Sequence, residues 1–332
     1  MKNKKINILI IILLTILVLY FALKDNYKEI IPLLFQANIL WLIVGYLFVL
    51  GYTFLKSVVT NDLIGSFKEY GLLKTFKLQL MTFFFNAITP FSTGGQPFQI
   101  YVLNKNNFNL TTSSNIVVQE SIIHQIALSF VVTLTFIINF IFNIYDMNFT
   151  LILLLVLSFF FNAFIVFLLF ALAYGKKIDN KFVKFIINVL YKLKVVKNKD
   201  EKINKWEKYI DEFNKASKNL LENKKRFIKL IMINAFAIIC LYIVPIFMLF
   251  SLKDYQSFNV IDSIVLISFV SIISCYVPLP GGTIGQEYLF TLFFGKYVRV
   301  PILSSIMILW RTITYYLPMI VGAIIFNTNK KN

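Results

Sequence analysis

The chain has 332 residues, 58% of them hydrophobic and only 15% charged, where a soluble domain carries roughly 45–50% apolar residues. With a mean hydropathy of +0.74, this excludes a soluble globular enzyme and predicts an all-α polytopic membrane protein. The formal net charge of +17 does not read as nucleic-acid binding, because about half of the 33 Lys and Arg fall within 176–229, and a basic loop of that kind stays cytoplasmic.

At the N-terminus, Met1-Lys2-Asn3-Lys4-Lys5 precedes an apolar run over 6–23. The run is long for a signal-peptide core and no small-x-small cleavage pattern follows it, so an uncleaved first span is expected. Further apolar runs at about 39–60, 116–145, 149–174, 226–250 and 301–326 bring the expectation to about six full spans. Two other segments are interrupted. Segment 72–100 is rich in Leu and Phe up to Thr89 and then breaks at Pro90 and Gly94-Gly95. Segment 260–296 breaks at Pro278, Pro280, Gly281 and Gly282 and resumes near Tyr288. Irregular backbone at membrane depth is tolerated only where it is buried in protein or lines a cavity, so each break is a candidate working site.

The basic residues constrain how these segments run. Lys2, Lys4 and Lys5, then Lys68 and Lys74, Lys105, the loop at about 175–229, and Lys330 with Lys331 all lie on one side if both broken segments turn back. This predicts two re-entrant helical hairpins of opposite orientation, the inverted-repeat arrangement of many secondary transporters. The alternative is one full crossing with a single violation of the charge rule. The expected organisation is a single transmembrane domain over 1–332, with halves at about 1–174 and 230–326 and both termini cytoplasmic. In the loop, Trp206, Tyr209, Ile210 and Phe213 fall on one helical face. The loop therefore reads either as an amphipathic helix attracted to anionic membrane lipids or as a solvated linker between the halves.

Ionisable groups inside apolar spans cost about 2.5–3.5 kcal/mol each on insertion scales and so are functional candidates. Glu120 and His124 are four residues apart on one helical face, with Gln119 and Gln125 beside them. His124 reads as a proton carrier or as a neutral donor that fixes Glu120. Glu287, in Gly281-Gly282-Thr283-Ile284-Gly285-Gln286-Glu287, reads as a cation ligand, a partner of Arg311 or a holder of an exchangeable proton. The glycines before it would let backbone N–H groups approach a phosphate. Arg311 is the strongest anion-binding candidate, since guanidinium is always charged and forks onto phosphate. It reads equally as one half of a structural Arg311–Glu287 pair. Asp262 lies near the start of its segment and is expected at the membrane interface. No GxxxxGK[ST], HExxH or GxSxG motif occurs, and Cys240 and Cys275 both sit in apolar runs, so no cofactor and no metal are expected.

Several motifs in order carry a family resemblance: Asn86-Ala87-Ile88-Thr89-Pro90 with Gly94-Gly95-Gln96-Pro97, Val118-Gln119-Glu120, Pro278-Leu279-Pro280-Gly281-Gly282 with Gly285 and Glu287, and Arg311 with Tyr315. Together they resemble the lysylphosphatidylglycerol synthase transmembrane-region family, also described as flippase-like, over about 6–326. The resemblance implies a lipid flippase that moves aminoacylated phosphatidylglycerol to the outer leaflet, while a separate cytosolic domain transfers lysine from lysyl-tRNA. The chain ends at Asn332, shortly after its last span, so the expectation is the translocating part, with a separate synthase subunit as a further partner. Gln96 departs from the pattern, standing where many members are expected to carry an acidic residue.

The expected substrate-binding set is therefore Gly94, Gly95, Gln96, Gln99, Glu120, His124, Gly281, Gly282, Gln286, Glu287, Arg311 and Tyr315, with helix breaks at Pro90, Pro278 and Pro280. The first expected function is translocation of an anionic or aminoacylated phospholipid, whose headgroup is the principal partner. The alternatives are the membrane part of a phosphatidylglycerol lysyltransferase or other lipid-modifying transferase, and an envelope-synthesis scaffold. No nucleic-acid partner is expected, and a homo-oligomer is compatible with each reading.

Overall fold

The computed structural model describes residues 27–89, 92–174, 212–214, 217, 222–274 and 285–329. The expected first span at 6–23, the break residues Pro90, Pro278, Pro280, Gly281 and Gly282, and most of the basic loop lie outside the described residues.

The described chain is helical. A short α1 (Tyr27–Gln36) leads to α2 (Ile39–Gly65), then α3 (Leu72–Ala87), α4 (Gly95–Lys105), α5 (Leu110–Phe142) and α6 (Phe149–Tyr174). After the loop come α7 (Lys224–Tyr242), α8 (Val244–Ser251), α9 (Val260–Ser274), α10 (Gly285–Phe294) and α11 (Val300–Arg311). A π-helical turn (Thr312–Tyr316) joins α11 to α12 (Leu317–Asn329). Among the described residues, five stretches are long and apolar enough to cross a bilayer: 39–65, 110–142, 149–171, 224–251 and 300–328. The protein is an all-α, multi-pass membrane protein.

Asparagine sets many of the helix starts. Side-chain oxygens of Asn38, Asn109, Asn148 and Asn223 accept from Leu40, Thr112, Leu151 and Arg226 amides at 2.6–3.0 Å, satisfying donors that the first helical turn leaves open. At α9, Asn259 caps Ile261 and Asp262 while the Asp262 carboxylate reaches back to the Asn259 amide at 2.9 Å. Asp262 thus closes a reciprocal capping box. The Asn223 cap also starts α7 earlier than charge alone suggests, so Lys224 to Lys229, expected in the loop, form the first turns of the helix.

The two interrupted segments each form a pair of short helices. Those of the first have 16 and 11 residues and those of the second 15 and 10, all short of the roughly 20 needed to span the hydrocarbon core. The helix order repeats: α2, the pair α3 and α4, and α5 correspond to α7 and α8, the pair α9 and α10, and α11 and α12. Packing crosses between the blocks, with α3 against α12, α9 against α5, and α2 against α7. Such an exchange is what two related halves produce about a common axis.

In the approach of α3 to α12, a Cβ on Gly322 would collide with the Leu80 carbonyl oxygen. Small residues at such contacts let backbones approach where lipid supplies no hydrophobic drive. The outside of the bundle is apolar, with Phe160, Phe161, Phe164 and Phe167 of α6 exposed. Phe213, expected on the apolar face of a membrane-surface helix, is instead buried in a cluster with Ile122 and Ala173. Its neighbour contacts explain this, since Asn115 of α5 donates to the Phe213 carbonyl at 3.0 Å and to Ser217 Oγ at 2.5 Å.

Candidate functional site

At the first break, side chains take over from the helix ladder. Thr89 Oγ1 accepts from the Gly94 amide and Asn86 Oδ1 from the Gly95 amide, each at 2.8 Å. Ser92 adopts a left-handed conformation at φ 53°, sparsely populated for a residue with a side chain. The two glycine amides are thus spent within the break. Glycine is required at both positions for space: a Cβ at 94 would meet Thr89 and the Phe85 carbonyl, and one at 95 would meet Asn86 and Thr82.

Between the blocks lies a cavity of about 340 Å³, within the range of small-ligand sites. Its polar lining includes Asn86, Ser92, His124, Gln286, Arg311 and Tyr315, and its apolar lining includes Leu128, Ile238, Leu241, Ile267 and Val270. A larger cleft at Ser66, Asn223 and Arg226 is an open surface feature, where Arg226 Nε pairs with Asp62 Oδ1 at 2.6 Å and pins α7 to the end of α2.

Arg311, the last residue of α11, is 4% exposed. Its Nε lies 2.7 Å from Glu287 Oε1 and its Nη1 donates to Gln286 Oε1 at 2.6 Å. Neither Glu287 oxygen receives a directed hydrogen bond among the described residues, so that contact is chiefly Coulombic. The guanidinium also sits 4.4 Å from the Tyr315 ring centroid and 5.7 Å from that of Trp310, close enough for cation–π attraction. Tyr315 Oη donates to the Ala87 carbonyl at 3.1 Å. A continuous chain of contacts therefore runs from the end of α3, at the first break, to the start of α10, after the second. The π turn follows Arg311 directly, a local widening that occurs frequently at functional sites.

A second charged cluster lies one layer away. Glu120 Oε1 accepts from Gln79 Nε2 at 2.9 Å and lies 3.5 Å from Lys56 Nζ, while Glu120 Oε2 is buried without a hydrogen-bond partner among the described residues. Gln79 also donates to Thr60 at 2.8 Å. His124 Nδ1 lies 3.0 Å from Asn234 Oδ1 of α7, which makes Nδ1 the donor and Nε2 the acceptor of the neutral ring.

Of the residues expected from sequence, Gln286, Glu287, Arg311, Tyr315 and His124 come together at or beside the cavity. Glu120 faces Lys56 in the neighbouring cluster. Gln99 is buried against Thr82 at 3.3 Å, and Gln96 reaches Ser121 at 3.2 Å on an exposed face. Gln119 donates to Asn115 one turn earlier on α5, and Gln125 accepts from Asn162 of α6. Sequence reasoning passed over Lys56, although a Lys inside the apolar run 39–60 carries the same burial cost as the residues it singled out. It also passed over Asn234 and Gln79, which neutral chemistry makes inconspicuous.

Comparison with known proteins agrees with this architecture. The family described as "Lysylphosphatidylglycerol synthase TM region" matches residues 7–322. A "UPF0104 membrane protein" of Archaeoglobus fulgidus is 25% identical over 97% of this chain and 95% of its own length.

Proposed function

The chain belongs to the lysylphosphatidylglycerol synthase transmembrane-region family, and from that premise we propose that it is a lipid translocase for an anionic or aminoacylated phospholipid of the cell membrane. The observation that carries the reading is Arg311, buried at the wall of a cavity lined by both polar and apolar side chains. A headgroup phosphate would compete with Glu287 for the guanidinium, and the apolar lining residues Ile238, Leu241, Ile267 and Val270 would accept the start of the acyl chains. Because breaking a buried pair by removing one partner costs about 3–5 kcal/mol, the Arg311–Glu287 pair holds the empty site in a defined state until an anion replaces the carboxylate. An amine on the headgroup would then meet Glu287. The positive-inside rule places both termini, Lys68 and Arg226 on the cytoplasmic side.

Translocation is favoured over group transfer by the hydroxyls around the cavity. Ser274 and Thr314 donate to the carbonyls of Ser271 and Trp310, and His124 is engaged by Asn234 rather than by a nucleophile, whereas covalent catalysis needs a nucleophile beside a base. The test is a proteoliposome assay in which a membrane-impermeant quencher reports labelled phosphatidylglycerol crossing the bilayer. The wild type is expected to move the label, with Arg311→Ala slowed at least about tenfold, the factor matching a loss of about 1.4 kcal/mol, and Glu287→Gln also slowed. Wild-type rates in both variants would overturn the site.

A further inference from the structure

We propose that Glu120 is a proton site linked to the lipid site, so that an anionic headgroup is taken up together with a proton. This deepens the translocase reading and rests on it. Glu120 is 4% exposed, with Lys56 3.5 Å from Oε1, longer than the about 2.7–2.9 Å of a good charge-assisted hydrogen bond. Its other oxygen, Oε2, is buried and has no hydrogen-bond partner among the described residues, the position an added proton would take. Among the described residues the titratable groups near it are Lys56 of α2 and, close to that lysine, Tyr52 and His124. From α3 the neutral Gln79 faces it, while Asn234 of α7 bonds to His124 and Gln96 of α4 to the neighbouring Ser121.

Space for water adjoins both partners of Glu120 Oε1, Lys56 and Gln79. A small cavity of about 30 Å³ lies along Thr53, Lys56, Gln79 and Thr82, and shares Tyr52, Phe83 and Asn86 with the larger cavity. One water needs roughly 10–15 Å³. With Glu120 ionised, both cations near the site are matched, Arg311 by Glu287 and Lys56 by Glu120. An anionic headgroup entering such a balanced, desolvated place brings an uncompensated negative charge. A proton drawn from bulk solvent through cavity water and bonded to Glu120 Oε2 neutralises that carboxylate and leaves Lys56 as the compensating cation. By linkage the effect is reciprocal: protonation favours the headgroup, and the headgroup favours protonation.

The full-length protein in detergent can be titrated calorimetrically with short-chain phosphatidylglycerol near neutral pH, in two buffers with different heats of ionisation. The wild type is expected to take up close to about one proton with each lipid, as the linkage requires. Glu120→Gln is expected to bind lipid with no uptake and little pH dependence. Lys56→Gln, which lacks the released cation, is expected to bind more weakly and also without uptake. Lipid binding by the wild type with no proton uptake, or uptake that persists in either variant, would overturn the linkage and leave the lipid site standing. No lipid binding by the wild type would overturn the lipid site and the linkage with it. Should Glu120→Gln fail to fold, persistence of uptake in Lys56→Gln decides the matter alone.

Discussion

Tyr315 holds Arg311 from below and the first break from its tip: its ring centroid lies 4.4 Å from the guanidinium carbon, while its hydroxyl donates to the Ala87 carbonyl at 3.1 Å. The two functions of this side chain are separable. Tyr315→Phe keeps the ring and removes a hydrogen bond worth about 0.5–1.5 kcal/mol, so translocation is expected to fall by about two- to tenfold. Tyr315→Ala removes the cation–π contact as well and is expected to fall further. Rates in the labelled-lipid assay check the order, wild type above Phe above Ala.

The helix contact between the blocks depends on Gly322. Its missing Cβ leaves room for the Leu80 carbonyl of α3, and Gly322→Val is expected to destabilise the protein by about 1–3 kcal/mol through overpacking. Gly51 is the control, because among the described residues nothing lies within 4 Å of where its Cβ would stand. Gly51→Ala is expected to be neutral or to stabilise by up to about 1 kcal/mol through helix propensity. Thermal unfolding in detergent distinguishes the two.

The first break is held by side chains more than by glycine flexibility. Asn86→Ala removes the acceptor for the Gly95 amide and leaves a donor unpaired in a water-poor place, which costs about 1–3 kcal/mol. Asn86→Asp keeps an acceptor oxygen and is expected to retain most of the stability. Unfolding midpoints of the two variants, compared with wild type, provide the measurement.

By contrast, the Arg226–Asp62 pair is a poor target. Its side chains are 23% and 41% exposed, and pairs of that kind contribute about 1 kcal/mol or less. Asp62→Asn is expected to shift stability only slightly, and less in high salt, in the same unfolding assay.

The membrane class, the long helices and the two interruptions were legible in the sequence because hydropathy and Pro-Gly punctuation act locally. Arg311 and Glu287 were legible for a similar reason, since a charge in an apolar run has to find a partner. What sequence could not give was the pairing across distance. Tyr315 meets Ala87 over 228 positions, and His124 meets Asn234 over 110. The amides of Gly94 and Gly95, both in the expected substrate-binding set, are taken by Thr89 and Asn86 from a few residues upstream. Lys56 carried the signal used elsewhere, a lone cation among apolar residues, and its partner Glu120 already stood out.

Orientation is open to direct measurement. With both native cysteines replaced by Ser, a single Cys at position 255, an exposed site between α8 and α9, is expected to react with an impermeant maleimide from outside the cell. A Cys at position 68, between α2 and α3, is expected to react only after permeabilisation, as the positive-inside rule requires.

The central claim is that a phospholipid headgroup occupies the cavity on Arg311. Phosphatidylglycerol carrying a photoreactive group on its headgroup, incorporated with the protein into liposomes, tests it most directly. The account predicts light-induced adducts on peptides containing His124 or residues 310–315, strongly reduced in Arg311→Ala. Adducts confined to the lipid-facing helices, or cavity adducts unchanged by Arg311→Ala, would contradict it.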